Sequence, residues 1–471
     1  MKRIRLGCII LFVLIFFTGC NSFNISVATP DTNTILKGQW KVTKCTDFDG
    51  GIVEDDSMAG YTLAFDDKEA MIFNRVYEHI SYKAKVVDSF DYIYSTLGFL
   101  PKQIGEKEDF TVITISSGNT FIKDVIITKD SFIVIDGEKI MYIEKVSDDA
   151  KIDEIMKEEA FSPDNFYNLN SGVLLGLKSE DSGAWKYRTL WITYNGETIQ
   201  YKEIPYILLP RKDGFFKVDN EETLVEQDIY NRVNISYIKD ESKNSSSDTE
   251  KLIDKNILSE DITFIGNDYM SIRTVSNMQG EIKETLGTFL IDLQATNKRV
   301  IVPISSLISE NDLKVIKDND KSLESDIGNL KSFTNYGITR NRGRWCFYTL
   351  IDDFYNKNEI QEELFNEFGN KKEIMTRVSK DIARHDDLYT SWQGIKNQVP
   401  SAIDAISSPN NNLTIIKTKG KLYVYKVNGN ELDMETELVI DLKSKEEIIM
   451  AEWALGQYVD YWSEEVNMFV K

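Results

Sequence analysis

The sequence is poor in the residues that most often build metal and nucleophile sites. It contains 2 histidines and 4 cysteines among 471 residues. A Ser-His-Asp triad would have to use His79 or His385, and a site built from several histidines cannot be assembled. No CxxC pair, Walker A loop, GxGxxG turn, GxSxG elbow or HExxH helix occurs. Positive charge is also scarce: 55 Lys and Arg face 76 Asp and Glu, a formal net charge of −21. Such a chain repels nucleic acid and anionic lipid, so a nucleic-acid partner is excluded. The one long apolar run, Leu6 to Phe17, is too short to span a bilayer, which takes about 20 residues.

That run has the dimensions of a signal-peptide core. Lys2, Arg3 and Arg5 precede it as a positive n-region. It ends in Phe17-Thr18-Gly19-Cys20, which resembles the lipobox of bacterial lipoproteins, with Phe17 where Leu is usual. The resemblance implies cleavage of residues 1–19 and a diacylglycerol thioether on Cys20. The expected address is the extracytoplasmic face of a bacterial membrane, with the lipid anchor as the membrane contact. Losing Lys2, Arg3 and Arg5 takes the net charge from −21 to −24. Two acyl chains, at about 0.8 kcal/mol per buried CH₂, hold a protein stably where one does not. Residues 20–34, rich in Asn, Ser and Thr, read as a flexible spacer. Cys8 leaves with the signal, so Cys45 and Cys346 remain, expected as two free buried thiols.

Residues 35–148 read as strand after strand. Ile80, Tyr82, Ala84 and Val86 alternate with polar residues, the period of a sheet with one dry face. Asp66-Asp67, Ser117-Gly118-Asn119 and Asp136-Gly137 supply turns. Eight antiparallel strands in this length suit a small barrel. An acidic helical linker is expected over 149–164. Residues 165–471 read as a larger strand-rich α+β region, in two subdomains split near the polar stretch 239–258, or alternatively as an irregular β-propeller. "GVLLGLKS", "RTLWITYNG", "IQYKEIPYILLP" and "GFFKV" look like one antiparallel group. Residues 358–406 are expected to be mostly helical. Ile449, Trp453, Tyr458, Val459, Trp462 and Val466 suggest a terminal helix. The fold class expected is therefore mostly β or α+β.

The first strand opens with "GQWKV", and here residues 36–146 resemble the lipocalin-like family. In that family Gly opens the first strand, Trp plugs the closed end of the barrel, and a basic residue after the last strand covers the indole. Gly38 and Trp40 match, and Lys145 can take the third place. The family's Thr-Asp-Tyr turn has no counterpart. The same Gly-x-aromatic device recurs at Gly183, Gly214 and Gly343, each at an apparent strand start. By itself it marks turns into strands.

Candidate chemistry beyond this is thin. His385 lies beside Asp386 and Asp387, a trio that can bind metal or relay a proton, or else form a solvated helical charge cluster. Arg340, Arg342 and Arg344 sit at a hairpin tip, as an anion grip or a solvated turn. "TDFDGGIVEDD" (46–56) and "DNDKSLESD" (318–326) both fail the calcium-loop spacing. No catalytic residue, metal ligand or cofactor is therefore named. The expected function is a tethered binding or interaction protein, with a small apolar ligand in the barrel or a surface protein as partner. The alternatives are an acid-dependent extracellular hydrolase or a structural envelope lipoprotein.

Overall fold

The computed structural model describes residues 26–27, 35–48, 62–72, 75–89, 92–93, 109–117, 120–136, 139–152, 170–181, 184–212, 214–225, 228–238, 256–278, 280–291, 300–310, 312–313, 316, 332–350, 371–428 and 431–469. They fall into two compact units, the first ending by residue 160 and the second holding the chain from Phe161 onward. Cys20, the proposed linker 149–164 beyond Ile152, the polar stretch up to residue 255, and both near-calcium loops past Phe48 lie outside the described residues.

The first unit is one antiparallel sheet. Its strands are β1 (Ser26–Val27), β2 (Gly38–Asp47), β3 (Thr62–Phe65), β4 (Glu69–Ile72), β5 (Arg75–Glu78), β6 (Ile80–Asp88), β7 (Asp109–Ser117), β8 (Thr120–Ile127), β9 (Phe132–Asp136) and β10 (Lys139–Ser147). Their spatial order is β1-β6-β7-β8-β9-β10-β2-β3-β4-β5. Nine strands and a short edge piece thus replace the expected eight. The difference arises at "KEAMIFNRVY", which folds back on itself as β4 and β5, pairing Ile72 with Arg75. The sheet curls into a half-barrel, and its two ends approach where Ile80 N–H donates to Lys68 O (3.2 Å) and the Tyr82 hydroxyl donates to Asp66 O (2.8 Å).

The inner face is a contiguous apolar core of Trp40, Val42, Leu63, Phe65, Ile113, Ile115, Val134 and Met141. Each such side chain, once buried, contributes about 1.5–3 kcal/mol. The sequence alternation holds for Ile80 and Tyr82 but ends at Val86, which is exposed while Val87 is buried. Gly38 has φ +119°, and a Cβ there would lie 2.2 Å from Ser147 O. Gly214 and Gly343 also have positive φ, so the recurring glycine does supply a turn conformation closed to other residues.

The second unit holds four sheets, described below as five consecutive strand groups or blades, of which the second and third join through a parallel pair, Asn231↔Ser259, into one seven-stranded sheet. The first blade is β11 (Ser171–Asp181), β12 (Ala184–Tyr194) and β13 (Ile199–Ile204); the second is β14 (Ile207–Arg211), β15 (Gly214–Val225) and β16 (Asp228–Tyr237). The third is β17 (Ile257–Ile265), β18 (Tyr269–Met278), β19 (Glu281–Leu290) and β20 (Val300–Ile301). The fourth is β21 (Gly337–Asn341), β22 (Arg344–Leu350) and β23 (Lys371–Arg377). After helix α1 (Trp392–Gln398) comes the fifth: β24 (Asp404–Ser407), β25 (Leu413–Lys417), β26 (Lys421–Asn428), β27 (Glu431–Leu432) and β28 (Leu438–Asp441). Strand β29 (Glu447–Leu455) then returns to the first blade, pairing with β11 from Ser171↔Leu455 to Lys178↔Glu447. Helix α2 (Gln457–Phe469) ends the chain.

Blade packing follows the chain order. Leu174 and Trp191 of the first blade meet Ile207 and Phe215 of the second. Val233 of the second meets Ile262 and Ile272 of the third. Phe264 of the third packs edge-on against Trp345 of the fourth, 4.7 Å between ring centroids. Leu175 and Ile192 return to Leu413, Ile415 and Val424 of the fifth. The second unit is mostly strand, as both sequence readings expected.

Three sequence expectations need correction. The first four strand-like runs do not form one group, because the chain leaves the first sheet at Pro205, which has no N–H to donate, and Ile207 starts the second. Residues 371–377 and 404–407 are strands rather than helix, and within the described part of 358–406 only α1 is α-helical. Ile449 and Trp453 belong to β29, since pairing with β11 overrides their helical spacing. Only the second half of that stretch is helix; α2 buries Val459 and Val466 and sets Trp462 5.8 Å from both Trp191 and Phe215.

The Gly38→Ala variant should lose about 3 kcal/mol of stability, from positive φ and overpacking combined. Gly420→Ala, where a Cβ meets nothing within 4 Å, should change it by less than about 0.5 kcal/mol. Urea unfolding of both variants distinguishes these outcomes.

Candidate functional site

The residues of the lipocalin-like resemblance lie together at the start of the first unit. Trp40 is buried, donates from Nε1 to Leu36 O (2.6 Å), and tilts against Phe132 at 4.6 Å. Lys145 pairs opposite Trp40 in the β10–β2 register. Its ammonium is held 2.7 Å from Asp148, and its stem lies over Gly38. The contacts of Trp40 are thus a backbone oxygen and an aromatic ring, both within a filled core.

A small open hollow in the second unit, with room for little more than one water molecule, is bordered by Arg384, His385, Asp387, Ser407 and Trp453. Three elements build it. The β21–β22 hairpin turns at Arg342 (φ +48°) and Gly343 (φ +91°). The loop after β23 is anchored by buried Val378, Ile382 and Ala383. Strand β29 contributes Ala451 and Trp453.

Arg340 is the strut beneath it. Its side chain is 5% exposed. Its Nε donates to Asp404 Oδ2 (2.7 Å), Nη1 to Asp386 Oδ1 (3.0 Å), and Nη2 to Asp404 Oδ1 (3.2 Å) and Ala405 O (2.6 Å). The guanidinium lies 5.0 Å from the Trp345 ring centroid. Asp404 also accepts from Gly343 N–H (2.8 Å), and Asp386 from Trp345 N–H (2.7 Å). This bidentate network joins the fourth and fifth blades.

The three arginines of the hairpin therefore do not form an anion grip: Arg340 is buried among carboxylates, and Arg344 donates to Glu373 (2.8 Å). The expected His385–Asp386–Asp387 trio is likewise divided. Asp386 faces inward to Arg340, while Asp387 lies near Arg377 (4.0 Å) and Lys380 (3.8 Å). No cluster of three His, Cys, Asp or Glu suited to a metal occurs among the described residues. Instead of a helix, the segment is an irregular loop in which His385 has φ +54°. His79 occupies an exposed turn, also at positive φ. Cys45 and Cys346 are both buried and free.

Burial raises the Asp386 and Asp387 carboxyls to about 6; Arg340 opposes this at Asp386, and Arg377 at Asp387. Burial also lowers the His385 imidazole. One group that sequence reasoning missed is Glu452, half-buried on β29. Burial pushes it up to about 8 against the opposing charge of Arg384, and Asp268 adds to the rise. Its only sequence signal was a carboxylate inside an apolar run, "IIMAEWAL".

A carboxyl raised in the folded state contributes stability below its ordinary value, 4.5 for Glu452, and loses that contribution as pH rises through about 8. Asp386 and Asp387 act lower, between 3.8 and about 6. The advantage of the wild type over Glu452→Gln should therefore shrink between pH 6 and 8. Denaturant midpoints of the two proteins at those pH values test this, and a constant difference would contradict it.

No protein-family model matches the chain, and no curated protein matches it; any activity must be argued from the site geometry.

Proposed function

We propose that this chain is a lipid-anchored extracytoplasmic protein that works by binding, with its recognition site on the second unit. The lipobox resemblance at Cys20 supports the address. In the first unit Trp40 sits within a buried apolar cluster, donating to Leu36 O and packing on Phe132. The observation that carries the reading is the pocket beside Trp453. It is concave and open, it offers an aromatic face with polar neighbours, and its carboxylates are committed. Asp386 and Asp404 are engaged with Arg340 and backbone amides.

The hydrolase alternative has one observation in its favour: Glu452, raised to about 8, stays protonated at neutral pH as a general acid must.

The Cys20→Ala variant should appear in the soluble fraction and migrate without the lipid shift; membrane retention and unchanged mobility would contradict the anchor. A photocrosslinking residue at His385, on the pocket rim, should yield adducts in intact cells. The same residue at Gly196, on an exposed turn, should not. Equal labelling at both positions, or none at 385, would count against a recognition site there.

A further inference from the structure

Apart from the pocket, the second unit holds a lysine amine buried against a carboxylate. Lys178 lies in the buried run of β11, and Asp261 in the buried run of β17. The two strands belong to different sheets. The Lys178 side chain is 4% exposed and that of Asp261 1%. Lys178 Nζ donates to Asp261 Oδ2 across 83 residues of sequence. An ion pair taken this far out of water loses the hydration of both charges, and its mutual attraction has to offset that cost.

Three further groups are arranged around the pair. Arg273 Nε donates to Asp261 Oδ1 at 2.8 Å, the oxygen opposite the one that meets Lys178. Glu447 stands directly across from Lys178 in the β29–β11 register, with Oε2 3.6 Å from the Lys178 ammonium. It is half-exposed and so links the buried pair to solvent. The Trp185 ring covers both cations, its centroid 4.9 Å from Lys178 Nζ and 5.4 Å from the Arg273 guanidinium carbon. Glu284 approaches Arg273 at 3.8 Å.

The buried pairs made by Arg188 and Arg340 are purely ionic, because a guanidinium keeps its charge and is no nucleophile. A lysine amine that gives up its proton can be acylated. The groups around Lys178 supply what that reaction needs. The nucleophile touches the carboxyl it would attack, a cation sits on the oxygen that gains charge, and a carboxylate lies beside the nitrogen.

We propose that Lys178 and Asp261 join in an intramolecular isopeptide bond, an amide between Nζ and Cγ, with Arg273 stabilising the oxyanion and Glu447 carrying the proton. One proton first moves from the ammonium to Oδ2 along their hydrogen bond, which gives a neutral amine and a carboxylic acid. The nitrogen lone pair then attacks Cγ, and the carbonyl electron pair settles on Oδ1 against Arg273 Nε. Glu447 takes the surplus proton from nitrogen. The oxyanion collapses and the Cγ–Oδ2 bond breaks. The departing hydroxyl recovers the proton from Glu447 and leaves as water. One positive and one negative charge disappear together, so the balance around Arg273 is unchanged. Held contact replaces a chance encounter, and such positioning is worth effective concentrations of about 10⁵–10⁸ M. Burial keeps out the water that would drive the reaction backwards. The bond ties β11 to β17 covalently.

Tryptic peptide mapping of the purified full-length protein by mass spectrometry tests this. The expected product is a branched peptide in which Lys178 resists trypsin and is joined to the Asp261 peptide, lighter than their sum by one water. Its fragment spectra should place the link at those two residues. Lys178→Arg, which keeps the charge but removes the nucleophile, and Asp261→Ala should each give linear peptides only. Glu447→Gln, folded by circular dichroism, should slow the linkage by about 10²-fold or more and leave linear peptides in freshly synthesised protein. A merely structural carboxylate would not produce that effect. Should the first two variants fail to fold, the wild-type map and Glu447→Gln still decide. A wild-type map with linear peptides cleaved after Lys178 overturns the proposal. A branched peptide formed as fast in Glu447→Gln as in the wild type overturns the role given to Glu447.

Discussion

The second unit depends on one pairing, the return of β29 to β11. The two strands are separated by most of the unit's length, so loop closure opposes their meeting and only the finished unit rewards it. The joint is fastened on both sides. Leu174, Ile449 and Met450 face the second blade, while Val173, Leu175 and Ile448 face the fifth. Ser171, at one end of the paired segment, donates to Asn410 or Asn412 of the fifth blade, at 2.8 and 2.6 Å. The same strand serves the pocket: Ala451 and Trp453, near its end, border it. The pocket is not complete until the last strand is home.

Buried charge is the second theme. Arg188, Arg340 and Lys178 each tie segments far apart in sequence, and each meets carboxylates in short, well-directed bonds. Breaking one partner of such a pair costs about 3–5 kcal/mol, because the survivor is left desolvated.

Much of the fold was legible where local rules act alone. Turns with glycine at positive φ, such as Asn341-Arg342-Gly343, and the alternating run from Ile80 through Tyr82 determine hairpins and faces without help from the rest of the chain. Legibility failed where tertiary pairing decides. "EIIMAEWALGQYVDYW" carries apolar residues at helical spacing, yet β11 claims its first half as a strand. The candidate sites were less visible still. Arg340 reads as a solvated hairpin tip until Asp404, 64 residues away, is brought beneath it. His385-Asp386-Asp387 reads as a trio until the loop turns Asp386 inward, away from its neighbours.

The second unit is closed by its final strand, and the pocket depends on that closure. Native-state hydrogen exchange of the β29 amides tests it most directly. If the account is right, Ile448 to Ala454 exchange as slowly as Val173 to Leu177 of β11, opening only with the whole unit. Fast exchange of β29, at the rate of a frayed edge strand while β11 stays protected, would contradict it.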